Sequence, residues 1–338
     1  MMRWLLVFAL ALAALAAAAD RVVLLEDFTN SGCGPCWSFE PTLNSFVNDH
    51  LAAGDLAVIR VHVSWPSAND PIYLANPTEQ NARKSYYGVN AVPWIQFDGV
   101  IKASTSGAGL NNAFNNRIDV PTNLSIFVAR NGDDQTGTIS VGLVAEDEIE
   151  TSVPIRLFAT VVEDEVPGAG YWSGDYFYQA FRKNLFGVAG PEVDFSGPYP
   201  DTIYFETEYD ITDWVADNLH LATFVQEYSS SDKEVINARY DKFMDLQTGI
   251  EGGWLMPQSP QMTLGPNPSS GTVSVTPMLP EGAAGTVTVY DVSGRRVAAG
   301  RAVNGVPGSF DLGASGVYLV RLTTDSGAAV SRTVAVIR

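Results

Sequence analysis

Residues 22–37 read VVLLEDFTNSGCGPCW and pass from an apolar run into a pair of cysteines. The run Val22–Leu25 predicts a buried strand. Pro35 is typical of the first turn of a helix, where its missing N–H removes no hydrogen bond. Apolar residues then recur at helical spacing: Phe39, Leu43, Phe46 and Val47. The segment therefore predicts a strand and a helix joined by a short loop, with Cys33 at the N-terminus of the helix and Cys36 one turn further in.

This placement favours redox chemistry at the two cysteines. The positive end of a helix and its free amides stabilise a thiolate, so we expect Cys33 to be the more exposed thiol with the lower pKa. Cys36 lies inside the first turn and should be shielded. One helical turn also brings the two sulfur atoms within disulfide reach. The pattern is that of a nucleophilic cysteine with a resolving partner.

Two other interpretations of the cysteine pair are weaker. A zinc site needs two more Cys or His ligands at suitable spacing, and the chain has only 2 Cys and 3 His. A purely structural disulfide would close a loop of two residues, which constrains the unfolded chain very little. We therefore expect neither a metal nor another cofactor at this site.

The surroundings of the cysteines resemble the thioredoxin superfamily. Cys33-Gly34-Pro35-Cys36 matches the dithiol motif of thioredoxin, and Asp27 falls at the position of the buried carboxylate of the family. Pro41 matches the proline that kinks the helix, and Val92-Pro93 resembles the segment with the cis-proline that faces the dithiol. The resemblance implies an α/β thioredoxin-like domain in which Asp27 moves a proton at Cys36 and Pro93 shapes the groove for a peptide substrate.

Some features depart from that pattern. Gly32 stands where the family usually has a tryptophan, and Trp94 stands where threonine is common, so the expected substrate groove is altered. Residues 64–73 are extra chain before a helix that we predict at Pro77–Tyr87. His62 alternates within a predicted strand and is interpreted as a hydrogen-bonded strand residue; a base that acts behind the dithiol is the alternative.

The start of the chain and its charge indicate the compartment and exclude some partners. A basic start is followed by an apolar run that ends in small residues at Ala19, the pattern of a secretory signal peptide over residues 1–19. An uncleaved N-terminal anchor is the alternative. No later segment is apolar enough to span a membrane, so we expect no transmembrane segment in the mature chain. The net charge of −18 excludes nucleic acid as a probable partner. Exported thiols meet an oxidising environment.

Charge also divides the chain into domains. Residues 20–120 carry 6 basic and 10 acidic side chains, residues 121–263 carry 7 and 24, and residues 264–338 carry 6 and 4. These changes predict a multidomain chain: a thioredoxin-like domain over 20–120, a mainly-β sandwich domain over 121–252, a linker over 253–263 and a small all-β domain over 264–338.

The acidic middle segment is predicted from its alternation to be built of strands. The runs are Leu124–Arg130, Thr136–Ala145, Ile155–Val162, Thr202–Glu208, His220–Glu227 and Val235–Tyr240, the first two joined as a hairpin through residues 131–134. A helical piece is predicted at Tyr176–Leu185. Acidic runs such as Glu146–Glu148 and Glu163–Glu165 are interpreted as solvated edges, with a calcium site as the alternative.

Parts of this segment resemble an exported family named for a 28-kilodalton outer membrane protein. The similar stretches are residues 178–187, 224–227 and 234–238, and the inserted Asn69-Asp70-Pro71 and the Tyr87-Gly88 step fit the same family. That resemblance implies a thioredoxin-like half joined to a β-rich half, with little indication of activity.

The C-terminal segment has the pattern of a sorting module. Pro266–Gly271 opens a run of strands that includes Thr286–Val297, Gly316–Leu322 and Thr333–Arg338. Order, spacing and the basic end of the chain resemble the C-terminal sorting domain of type IX secretion substrates; a generic small immunoglobulin-like module is the alternative. The resemblance implies transit through the periplasm, the type IX machinery as a partner of residues 264–338, and a cell-surface or extracellular destination.

Two hypotheses for function remain from the sequence. The first is an exported thiol–disulfide oxidoreductase that acts on protein or peptide disulfides through Cys33 and Cys36, with Asp27 and Pro93 in the roles given above. The second is a cell-surface binding or adhesion protein that keeps the thioredoxin fold as a scaffold, with its function in the acidic segment. The sequence favours the first, because the dithiol, the carboxylate and the proline occur together.

Overall fold

A computed structural model describes residues 19–197, 199–246, 260–265, 267–279, 283–302 and 308–338 of the chain. The predicted signal peptide lies outside these residues except for Ala19, and so does most of the predicted linker. The chain forms two compact units, which divide between Gln258 and Ser259. The described residues are mostly β, in several sheets. No described helix is long and apolar enough to cross a bilayer.

The first unit is built from four helices and fourteen strands within its described residues. The helices are α1 (Gly34–Ala53), α2 (Pro71–Ala75), α3 (Pro77–Tyr87) and α4 (Gly107–Ile118). The strands are β1 (Val23–Thr29), β2 (Leu56–His62), β3 (Trp94–Phe97), β4 (Ile101–Ala103), β5 (Leu124–Gly132), β6 (Thr136–Ala145), β7 (Ile155–Glu163), β8 (Val166–Pro167), β9 (Tyr176–Phe177), β10 (Ala180–Asn184), β11 (Glu192–Val193), β12 (Asp201–Asp210), β13 (Leu219–Glu227) and β14 (Val235–Lys242).

One nine-stranded sheet crosses the boundary that the sequence predicts near residue 120. Its order is β14-β13-β7-β10-β2-β1-β3-β4, and β11 pairs with β7. β1 and β10 both run parallel to β2, and the Arg60 N–H donates to the Gln179 carbonyl at 2.9 Å. The predicted separate domains 20–120 and 121–252 are therefore wrong as independent units. The free edge of β2 is covered by a strand of the acidic segment, so the two halves share one sheet.

A buried carboxylate joins the same two halves. Asp98 is fully buried and accepts hydrogen bonds from Arg21 at 2.7 Å, from the Leu24 N–H at 2.7 Å and from Arg117 at 2.9 Å. Arg21 also donates to the carbonyl of Val235 in β14 at 2.9 Å. Because a buried charge is tolerated only when it is paired and hydrogen-bonded, this network holds the start of the chain to its distant partner strand.

α1 lies on the face of the sheet where the sequence places its apolar side chains. It begins after Cys33, keeps Pro41 inside the helix and ends at Gly54, whose φ of 77° is the left-handed conformation that glycine adopts readily. Its buried face packs with α4 and the sheet in one core, whose members from α1 are Phe39, Leu43, Phe46 and Val47.

The acidic segment places a second sheet against the extended one. β12, β6 and β5 form a three-stranded antiparallel sheet, and its apolar side chains share a core with those of β7 and β13. The predicted β5–β6 hairpin is confirmed. The helix predicted at Tyr176–Leu185 is wrong: β9 and β10 lie there, because β10 fills the place between β7 and β2 and takes its hydrogen bonds from them.

The second unit is all β in its described residues. It contains β15 (Gln261–Gly265), β16 (Thr272–Met278), β17 (Gly285–Asp291), β18 (Arg296–Ala302), β19 (Gly308–Asp311), β20 (Gly316–Thr324) and β21 (Ala329–Val336). The strand orders are β15-β16-β19 and β18-β17-β20-β21. Inward-facing valines and leucines, among them Val273, Val287 and Leu322, form its core. Alternation in the sequence predicts this pattern well.

Candidate functional site

The two cysteines lie at the start of α1 and form a disulfide. Their Cα atoms are 5.2 Å apart and the S–S distance is 2.02 Å. Cys33 caps the helix, because its sulfur accepts a hydrogen bond from the Cys36 N–H at 3.1 Å. The predicted placement of Cys33 at the helix N-terminus, with Cys36 in the first turn, is therefore confirmed.

The expected difference in exposure between the cysteines is wrong. Cys33 and Cys36 are each only 3 % exposed. A segment of the acidic part of the chain covers both, and we name Val166–Phe177 the cap segment. β8 and β9 form its two ends and pair with each other, and a 3-10 turn over Gly170–Trp172 lies between them. A helix N-terminus is exposed unless another part of the chain crosses it, and here one does.

Apolar packing holds the cap segment against the sulfur atoms. Cys33 and Cys36 belong to one buried cluster with Ile72, Ala180 and two cap residues, Trp172 and Phe177. Trp172 is 2 % exposed, and its ring meets that of Trp37 edge-on at a centroid distance of 5.3 Å. The disulfide therefore lies inside an apolar, partly aromatic cluster.

A close backbone approach fixes the turn of the cap segment. The Tyr171 N–H donates to the Ser31 carbonyl at 2.9 Å. Gly170 has a φ of 61°, and a Cβ atom built on it would lie 2.1 Å from the Ser31 carbonyl oxygen. Only glycine fits there without a shift of the backbone. Ser31 lies two residues before Cys33, so the cap segment contacts the loop that carries the disulfide.

Asp27 is buried within β1 and has a raised pKa. It is 3 % exposed, and burial raises its pKa to about 7 against the lowering effect of Arg60, with Glu40 adding to the rise. Arg60 donates to Glu40 and to Asn44 at 2.6 Å, so its charge is shared with other acceptors. A carboxyl with this pKa exchanges a proton near neutral pH.

The peptide bond between Val92 and Pro93 is cis, as the resemblance predicts. Val92 packs against the cluster that contains both cysteines, and Pro93 is half-buried. Asp27 in β1 is in register with Ile95 in β3, two residues after Pro93. The sheet thus places the carboxylate and the proline at neighbouring positions, and Val92 joins the proline to the sulfur cluster.

A buried histidine–aspartate pair supports the cysteine loop from the other side. The Nδ1 atom of His62 lies 2.8 Å from Oδ2 of Asp70, and both side chains are nearly fully buried. The same Asp70 oxygen accepts from the Ser31 N–H at 2.6 Å, and its other oxygen accepts from two N–H groups of α2. Burial raises the pKa of Asp70, but His62 and these amides outweigh burial and lower it. The interpretation of His62 as a hydrogen-bonded strand residue fits this geometry.

Sequence reasoning missed several of these residues. Asp70 lies in the inserted segment 64–73, whose Asp-Pro step is a signal for the start of a helix. Gly170 and Trp172 carried no local signal, because their contacts with Ser31 and with the two cysteines join residues more than 130 positions apart. In the described residues no group of three or more His, Cys, Asp or Glu side chains has the arrangement of a metal site.

Comparisons with known proteins support the C-terminal prediction. Residues 264–336 match a family model described as a secretion system C-terminal sorting domain. The solved structure of HBP35 of Porphyromonas gingivalis is similar, with a TM-score of 0.59, 16 % identity, and coverage of 94 % of this chain and 98 % of that chain. A protein of Agrobacterium tumefaciens solved by structural genomics has a TM-score of 0.43 and 13 % identity, covering 70 % of this chain and 99 % of that chain. No curated protein matches the chain.

The destination of the chain follows from the sorting domain. The chain is cargo of the type IX secretion system and is exported to the cell surface or the extracellular space. The similarity to HBP35 shows a shared fold.

Proposed function

We propose that this chain is an exported thiol–disulfide oxidoreductase whose segment 20–120 is a thioredoxin-like fold, extended by strands of the acidic segment. The observation that carries the proposal is that the Cys33–Cys36 disulfide, at the first turn of α1, shares one cluster with Val92, the residue before the cis-proline. A substrate strand bound along Pro93 lies beside this cluster. The proposed substrates are protein or peptide disulfides and dithiols.

Each site residue has a distinct role in the exchange. In the reduced protein, the Cys33 thiolate attacks a substrate disulfide, forms a mixed disulfide and releases one substrate thiolate. The Cys36 thiol loses its proton to Asp27 and attacks the Cys33 sulfur. This restores the Cys33–Cys36 bond and releases the second substrate thiolate. Run in reverse, the same steps oxidise a substrate dithiol and reduce the protein, so atoms and electrons balance in either direction.

Two physical properties support this assignment. The pKa of Asp27, raised to about 7 by burial, suits a group that accepts and returns a proton at neutral pH. The disulfide joins residues 3 positions apart, and a loop that short lowers the entropy of the unfolded chain very little. Stabilisation of the fold is therefore a weak reason for the chain to carry it.

A surface-binding protein is the second candidate, and one observation favours it. Each cysteine is only 3 % exposed, which is unusual for a nucleophile that must meet a protein substrate. In that case the function lies in the acidic segment, and the disulfide is an inert part of the scaffold. The resemblance to the 28-kilodalton outer membrane protein family stays a prediction and does not separate the two candidates.

Trapping of a mixed disulfide tests the proposal. The full mature chain carrying Cys36→Ser is reduced and incubated with a peptide that contains one disulfide; we expect a covalent complex through Cys33, located by mass mapping. Cys33→Ser is the matched control and should trap far less, because Cys36 lies inside the helical turn. If neither variant forms a complex, even after long incubation, the oxidoreductase function is wrong and the surface-binding candidate takes its place.

A further inference from the structure

We infer that the cap segment Val166–Phe177 controls access to the disulfide, with Trp172 as the residue that blocks the sulfur atoms. This inference rests on the proposed function, since it describes how a thiol reaches that site. It assigns to the acidic segment a regulatory and specificity-determining part in the chemistry of Cys33. Neither role follows from the sequence motifs.

The first argument is that the cap segment covers both sulfur atoms. Attack on a disulfide needs an open path along the S–S bond to the sulfur that is attacked. Trp172 packs in the cluster with both cysteines, is 2 % exposed, and is held by the rings of Trp37 at 5.3 Å and Phe177 at 5.5 Å. With both sulfur atoms enclosed in this way, a thiolate reaches Cys33 only after the cap segment moves.

The second argument is that the cap segment is built to move as a unit. Its described hydrogen bonds are internal, such as the Gly168 N–H to the Asp175 carbonyl and the Asp175 N–H to the Trp172 carbonyl, both at 2.9 Å. The exception is the bond from the Tyr171 N–H to the Ser31 carbonyl. A loop that satisfies its own backbone and whose ends pair with each other opens without unfolding the sheet beneath it.

The third argument is that the closed position leaves a polar group unsatisfied. Among the residues that the structure describes, none accepts a hydrogen bond from the buried Nε1 atom of Trp172. Such a donor is unfavourable when buried and regains hydrogen bonds once it reaches water or a substrate backbone. The apolar contacts of the Trp172 ring favour closure, whereas its unsatisfied N–H lowers the free energy that opening requires.

Opening also makes the Ser31 carbonyl available. When the cap segment leaves, the hydrogen bond from the Tyr171 N–H is lost and the apolar place of Trp172 is vacated beside Val92. A polypeptide substrate replaces both contacts, with a backbone N–H for the carbonyl and a large apolar side chain near its cysteine. A small thiol replaces neither. Access therefore favours polypeptide substrates that carry an apolar or aromatic residue beside the cysteine.

The test is the rate at which dithiothreitol reduces the Cys33–Cys36 bond in the full mature chain, followed by acid quench, alkylation and mass measurement. One dithiothreitol thiolate attacks Cys33 and expels the Cys36 thiolate; its second thiolate then closes the oxidised ring and releases Cys33. If the open fraction limits the rate, Trp172→Ala should reduce about tenfold or more faster than the unchanged chain. Tyr176→Ala is the matched control, because Tyr176 is an aromatic residue of the same segment that is 47 % exposed.

A second pair of variants keeps the test decisive if Trp172→Ala does not fold. Gly170→Ala adds a methyl group 2.1 Å from the Ser31 carbonyl and should raise the rate like Trp172→Ala. Gly174→Ala has a comparable left-handed φ of 90° but no described heavy atom within 4 Å of the new Cβ atom, so it controls for backbone strain alone. Circular dichroism verifies that each variant is folded.

The outcomes separate this inference from the proposed function. Equal reduction rates in folded Trp172→Ala, folded Gly170→Ala and the unchanged chain overturn control by the cap segment, even if Cys36→Ser traps a peptide. Faster rates in these two variants alone support it, even if no peptide is trapped and the oxidoreductase function fails.

Discussion

The Tyr171 N–H donates a hydrogen bond to the Ser31 carbonyl at 2.9 Å, although the two residues lie 140 positions apart. On its other side, Ser31 donates its own N–H to Asp70 at 2.6 Å. The loop before Cys33 is thus held by two hydrogen bonds of Ser31, one to the cap segment and one to the buried carboxylate of Asp70. The geometry of this loop therefore depends on two segments that are distant from it in the sequence.

Asp70→Asn should destabilise the first unit by about 2–4 kcal/mol at pH 7, because a buried acceptor of several hydrogen bonds is replaced by a group with half its acceptor capacity. The Oδ2 atom serves both the Ser31 N–H and His62, and an amide nitrogen in that place repels both donors. Urea unfolding measures the loss. Asp55→Asn is the control, since the His50–Asp55 pair has similar geometry but is partly exposed; a loss as large in this variant would contradict the assignment.

Asp27 should make stability depend on pH in the opposite direction to an ordinary salt-bridged carboxylate. The pKa of Asp27 in the folded chain is about 7, above the value of 3.8 for an unperturbed group. The contribution of this group to the free energy of unfolding is therefore fully present below pH 3.8 and is lost as the pH rises through 7. Between pH 5 and pH 8 the unchanged chain should lose about 2–3 kcal/mol relative to Asp27→Asn.

The measurement is urea unfolding of the oxidised protein at both pH values. Asp27→Asn carries no titrating group at this position, so its own dependence on pH serves as the baseline. If the free energy of unfolding changes with pH in the same way in both proteins, the pKa of Asp27 is not raised. The proton-transfer role proposed for Asp27 would then lose its support.

Asp98→Asn should lower the free energy of unfolding by about 3–5 kcal/mol, because Arg21 and Arg117 lose the buried negative charge that compensates them. Since Arg21 also binds the Val235 carbonyl in β14, we expect the whole of Ala19–Gln258 to unfold in one transition at a lower urea concentration. Asp49→Asn, at an exposed position of α1, should change stability by less than about 0.5 kcal/mol. Two separate transitions within this unit would instead restore the domain boundary near residue 120.

Deletion of Leu264–Arg338 should leave a folded protein in the periplasm. The family match covers residues 264–336, and Ala19–Gln258 form a compact unit of their own, so we expect routing to be lost while the Cys33–Cys36 disulfide is retained. Cell fractionation with immunodetection measures the location, and circular dichroism of the purified truncated chain measures its fold. Arrival of the truncated chain at the cell surface would contradict this role of the domain.

Calcium should change the melting temperature little. Within the acidic run at 163–165, Glu163 binds Arg182 at 2.6 Å and Asp164 accepts from the Gln179 N–H at 2.6 Å, so these carboxylates already have partners. At 1 mM calcium we expect a shift of less than about 2 °C, since only an ion that binds the folded state raises stability by mass action. A shift of many degrees at sub-millimolar calcium would reveal a bound ion.

Local patterns in the sequence were enough for many elements of this chain. The apolar run before the cysteines predicts β1, Pro35 and the spacing of the apolar residues predict α1, and alternation predicts the β5–β6 hairpin. The predicted helix Pro77–Tyr87 is confirmed as α3. These features depend on the periodicity, capping residues and turn residues of segments about ten positions long. Such local patterns can be recognised in a single sequence.

Tertiary contacts decided the rest. Residues 176–185 became strands because β10 pairs with β7 and β2, and the boundary near residue 120 disappeared because one sheet crosses it. Cys33 is buried in one cluster with Trp172, a residue 139 positions away in the sequence. The cysteine motif places a dithiol at a helix N-terminus through local geometry alone. Whether a thiol can reach it depends on packing between segments far apart in the chain, which no local pattern encodes.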